Sequence, residues 1–120
     1  MSTVAQLLVG LVAAIHVYIL VLEAFLWRTP RGMKIFGTDR EFAERSAPLA
    51  ANQGLYNGFL AAGLLWGLFT SEPVGFQARI FFLGCVIVAG VVGAITVNRR
   101  ILFVQAVPAV AALSLVVLAR

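Results

Sequence analysis

Charge is scarce in this sequence. Only 12% of its 120 residues are Asp, Glu, Lys or Arg, while 62% are hydrophobic, and the mean hydropathy is +1.00. An ordinary soluble domain is about 25% charged, so this chain has too little polar surface to cover a globule in water and is expected to lie in a bilayer. Cysteine and histidine are also nearly absent, with one of each, Cys85 and His16. A single cysteine excludes an internal disulfide framework, and one histidine beside it cannot build a structural zinc site. With no neighbouring cation to activate it, Cys85 reads as a small buried hydrophobe. The sequence contains no G-x-S-x-G, no H-E-x-x-H and no Gly-rich phosphate loop, which argues against a serine triad, zinc chemistry and ATP use. No cofactor is expected: a haem would find one axial ligand in His16 and no evident second.

What the sequence has is length of apolar chain. Four runs, at about 4–27, 48–70, 77–97 and 101–119, are each long enough to cross a bilayer, the last barely. They predict an all-α integral membrane bundle of four transmembrane helices, forming a single domain over residues 1–120. The first run lacks a basic leader and carries Glu23 where signal cleavage would need small neutral residues, so it reads as a retained helix. Between the first two runs, Thr38-Asp39-Arg40-Glu41 matches a capping box, which predicts a short interfacial helix at about 39–46 with Phe36 and Phe42 toward the headgroups. Pro48 suits the first turn of the second span. Small residues recur every four positions, as Gly54, Gly58 and Ala62 and as Gly90 and Ala94, and predict close helix contacts.

Four crossings put both termini on one side with the 71–76 turn. The 28–47 loop and the Asn98-Arg99-Arg100 turn fall on the other. That second side holds Arg28, Arg31, Lys34, Arg40, Arg45, Arg99 and Arg100, against Arg79 and Arg120 on the first. The positive-inside rule then makes the long loop cytoplasmic and the termini external. Anionic lipid beside these residues accounts for the net charge of +4 without nucleic acid as a partner. Trp27 and Trp66 are expected as interfacial anchors.

The informative residues are those that lipid does not tolerate. His16 and Glu23 lie seven residues apart on the first span, hence on one face. An ionisable group there normally faces the protein interior or a water-filled cavity. Counting back from Arg28, His16 lies roughly 18 Å and Glu23 roughly 7 Å into the bilayer. Asn52, Gln53, Tyr56 and Asn57 group on the second span, Thr96 near the end of the third and Gln105 near the start of the fourth. All fall in the cytoplasmic half. Together they predict a one-sided polar pocket open to the cytoplasm. His16 and Glu23 are its candidate catalytic groups; Asn52, Gln53, Tyr56, Asn57, Thr96 and Gln105 would hold a substrate. Taken one at a time, each polar group also serves as ordinary hydrogen-bonding glue between helices, and Glu23 could pair with Arg28, Arg99 or Arg100.

The string Asn52-Gln53-Gly54-Leu55-Tyr56-Asn57-Gly58-Phe59-Leu60, with His16 and Glu23 upstream and Gln105 to Ala109 downstream, resembles a family of small bacterial four-helix membrane proteins whose members carry only a domain-of-unknown-function designation. The resemblance runs from about His16 to Ala112. It implies a bacterial inner-membrane location and no particular activity. Function must then be argued from the residues, and three readings stay open. In the first, the pocket binds a lipophilic small molecule, with His16 and Glu23 as an acid–base pair of isomerase type. In the second, Glu23 exchanges protons in a small-molecule transporter. In the third, the polar face docks a partner helix, as in a non-catalytic assembly factor. Partners beyond membrane lipids and that small molecule are not indicated, and monomer and homo-oligomer are both open.

Overall fold

The computed structural model describes residues 2–119 and is helical throughout, with no strand among them. Five α-helices follow in order: α1 Thr3–Ala24, α2 Pro30–Phe36, α3 Arg40–Phe69, α4 Val74–Thr96 and α5 Val107–Leu118, the last preceded directly by a π-helical turn, Leu102–Ala106. Two of them, α1 and α4, are long and apolar enough to cross a membrane.

Local chemistry sets the boundaries. Ser2 Oγ accepts the Ala5 amide at 3.1 Å and starts α1. The helix ends at Ala24, short of the expected residue 27, because the backbone turns so that Thr29 can cap α2. Thr29 Oγ1 donates to the Leu26 carbonyl at 2.6 Å and accepts the Gly32 amide at 3.1 Å, with Pro30 at the first helical position. Gly32 is required here, since a Cβ would overlap the Leu26 carbonyl oxygen. Gly37, at φ 67°, closes α2 in the left-handed conformation, and the Thr38 amide returns to the Met33 carbonyl at 3.0 Å.

The separate interfacial helix at 39–46 is corrected. Residues from Arg40 onward run without a break into the second apolar stretch as one 30-residue helix. Nor does the capping box form. Asp39 Oδ1 accepts the Phe42 amide at 2.8 Å, one residue later than expected, and Thr38 Oγ1 is left without a partner. Glu41 instead faces Arg45 at 4.0 Å. Pro48 lies inside α3 and costs it one backbone bond, that to Glu44, and both residues are exposed.

The chain divides into two compact units. One comprises residues up to Ile15 and from Leu60 onward. Its core draws on four helices: Val9 and Val12 from α1, Leu64 from α3, Leu83 and Val86 from α4, and Ala109, Ala112 and Val116 from α5. Gly90 lets α4 touch the π-helical turn, where a Cβ would lie 2.8 Å from the Ala106 nitrogen. Pro108 explains the turn itself. Lacking an amide hydrogen, it breaks the regular ladder, and the Val107 amide reaches back five residues to the Leu102 carbonyl. The other unit, His16–Phe59, holds the end of α1, α2 and the first two-thirds of α3.

Candidate functional site

Within His16–Phe59, glycine brings α1 and α3 together. A Cβ on Gly54 would lie 3.2 Å from the Ala24 nitrogen, Glu23 Cβ and the Leu20 carbonyl, and one on Gly58 would lie 3.3 Å from Leu20 Cδ2. At this approach the side chains of Glu23 and Asn57 meet. Asn57 Nδ2 donates to Glu23 Oε1 at 2.7 Å and to the Gln53 carbonyl at 3.1 Å. Both residues are half-buried.

The electrostatic setting of Glu23 is unfavourable for a charge. It is the penultimate residue of α1, where the helix dipole presents its negative end, and the last turn has no basic residue. Among the described residues the ion pairs are Arg40–Glu44, Arg45–Glu41 and Arg79–Glu72, and the alternative left open for Glu23, a pair with Arg28, Arg99 or Arg100, is not among them. Its partner is a neutral amide. The bond from Asn57 is to Oε1.

The remaining candidates are distributed as follows. His16 is completely buried. It lies seven residues before Glu23 on α1, about 10 Å along the axis. Asn52, Gln53 and Tyr56 are exposed on α3, and Tyr56 packs edge-on against Phe59 at 5.9 Å. Thr96 and Gln105 belong to the other unit. Thr96 is exposed and donates to its own helix at Val92, while Gln105 sits in the π-helical turn, its Cβ beside Gly90. Glu23 and Asn57 are joined by a side-chain hydrogen bond.

Two polar arrangements went unnoticed in the sequence. Trp27, expected as an anchor in a helix, lies in the turn after α1, donates Nε1–H to Ser46 Oγ at 3.0 Å, and packs on Phe36 at 4.8 Å. It ties α2 to α3. In the other unit, Arg79 is 3% exposed; its Nη1 donates to the Gly67 carbonyl at 2.7 Å and its Nη2 to Glu72 Oε1 at 2.6 Å. Glu72 Oε2 in turn accepts the Phe76 amide at 3.0 Å. Arg79 therefore satisfies a carbonyl at the end of α3, and Glu72 an amide at the start of α4. Glycine again makes room, since a Cβ on Gly67 would lie 2.8 Å from Arg79 Cγ.

The model of a family described as protein of unknown function (DUF1304) matches residues 10–117. The chain belongs to this family. A DUF1304 chain of this length has a full-length relative in "Uncharacterized protein YpaA" of Lactococcus lactis subsp. lactis (strain IL1403), 31% identical over 114 residues that cover 92% of this chain and 95% of that protein. No solved structure matches.

Proposed function

We propose that this DUF1304 protein is a four-span protein of the bacterial inner membrane whose Glu23–Asn57 pair binds the polar end of a lipophilic small molecule from the cytoplasmic side. The observation that carries the reading is the 2.7 Å bond between a carboxylate and a neutral amide where two helices meet through glycine. A group so placed gains little for stability, because its charge has no counter-charge and sits at the wrong end of a helix. It is suited to hold a ligand donor on its second oxygen, with Asn57 fixing the orientation of the first.

Membrane insertion is supported by exposure. Only 28% of the most apolar stretch of α1, and the same share of α4, is buried, whereas the core helix of a soluble protein would be mostly covered. α3 is about 45 Å long, more than the roughly 30 Å hydrocarbon layer, so its charged first turns, with Arg40, Glu41, Glu44 and Arg45, would project into the cytoplasm. The helical run Leu102–Leu118 has 17 residues, the lower limit for a crossing. The positive charges favour termini outside.

The axial distance of about 10 Å between His16 and Glu23 favours binding over a two-group isomerisation, since a proton would need a bound molecule or water to pass between them. Glu23 is the group that meets the ligand, and His16 lies behind it. Native mass spectrometry of the purified protein tests this. The wild type should carry a small lipophilic molecule that Glu23→Gln loses; equal occupancy in both would defeat the proposal. A reporter fused to the C-terminus should be active only outside the cytoplasm.

A further inference from the structure

One face of α3 lies in the open. Phe42, Arg45, Leu49, Asn52, Tyr56 and Phe59 follow at spacings of three and four, and every one is exposed, Leu49 at 65% and Phe59 at 54%. The opposite face of the same stretch, with Ala43, Ala50 and Gly54, is buried. Alternating three- and four-residue spacing is the pattern by which two helices wind around each other, and a single asparagine in such a seam fixes register and partner number. Asn52 stands exposed on this face near the cytoplasmic edge of the bilayer, a carboxamide among apolar neighbours.

We propose that this face pairs with the same face of a second copy of the chain, as a parallel two-fold dimer centred on Asn52. The occupant follows from the chemistry of the seam. A carboxamide is both donor and acceptor, so two copies of Asn52 across a two-fold axis satisfy each other. Copies inserted in the same orientation present their seams in register. At the head of the seam Arg45 stands beside Glu41, both widely exposed, with side-chain exposures of 70% and 83%. Each arginine of a dimer thus has carboxylates nearby to offset its twin. Leu49, Tyr56 and Phe59 supply the apolar layers on either side. This inference rests on the membrane reading and is independent of ligand binding at Glu23, which lies on α1 and bonds Asn57 of α3.

Oxidative cross-linking in native membranes tests it. In a Cys85→Ser background, Asn52→Cys should form a disulfide-linked dimer, and Leu65→Cys, exposed but off the seam, should not. Energy transfer between labelled chains diluted in liposomes gives the second measurement. Asn52→Leu should raise the dissociation constant about three- to tenfold, a typical loss for a hydrogen bond between helices in lipid. Asn52→Gln, which keeps donor and acceptor, should stay near wild type, as should Glu23→Gln. A monomer at every dilution, cross-linking at residue 65 but not 52, or Asn52→Leu without effect would each overturn the dimer. Removal of the wild type from membranes by alkaline carbonate would overturn the membrane reading and the dimer together.

Discussion

Glu23 and Glu72 are both carboxylates that bond a side chain on a different structural element, and they differ in the partner. Glu72, in the turn between α3 and α4, meets the guanidinium of Arg79, which also satisfies the Gly67 carbonyl. Charge answers charge in that cluster and orphan groups at two helix ends are satisfied, while Arg79 Nε is buried without a partner. Glu23 meets only the amide of Asn57. The lesson is that an ion pair which also satisfies helix ends accounts for itself as architecture, whereas a carboxylate that bonds only a neutral amide is the arrangement on which the proposed ligand site rests.

Substitutions can break this contrast. The largest effect should come from Arg79→Ala, which strips the bond from the Gly67 carbonyl and leaves a cavity under α3; a loss of about 2–4 kcal/mol is expected in reversible unfolding in detergent, with ligand occupancy at Glu23 unchanged in the folded fraction. Asn57→Leu should do the reverse. Its stability should fall by no more than about 0.6–2 kcal/mol, and its ligand should be lost, as in Glu23→Gln. If Arg79→Ala proves neutral, or Asn57→Leu keeps full occupancy, the two sites are not different in kind.

The smallest effect is a pH dependence. The hydrogen bond from Arg79 holds the Glu72 carboxyl below the ordinary carboxylate range. A carboxyl with a lowered folded-state pKa adds stability that is present above its unfolded value, about 4.3, and is lost as pH falls through the folded value. Wild type should therefore exceed Glu72→Gln in stability at neutral pH, and the difference should fade below about pH 4. A difference that persists in acid would show that Glu72 acts through its shape and not its charge.

Much of this could be read from the sequence, and the omissions have physical causes. α1 and α4 were legible within three residues at each end, because twenty-odd apolar residues in a row leave little choice. Glu23 and Asn57 stood out as polar groups in apolar runs. α2 was missed although Thr29-Pro30 and Gly37 are its start and stop signals, since a seven-residue helix has no periodicity of its own. The continuity of α3 past Pro48 was hidden by a rule that holds in helix interiors and relaxes where water can satisfy the freed carbonyl. Arg79 was the deepest omission. Its partners at Gly67 and Glu72 lie across a turn, where neither helical nor strand spacing links them, so it read as one more surface charge.

The π-helical turn carries one more meaning. A turn of this kind accommodates an extra residue in a helix without unravelling it, and so acts as a phase setting for everything downstream. Each residue advances a helix by about 100°. Ala109, Ala112 and Val116 face the core only with that advance included; with one residue fewer between Leu102 and Ala106, the same three would point roughly a quarter-turn away, and the small side chains that let this helix lie close would be presented to nothing.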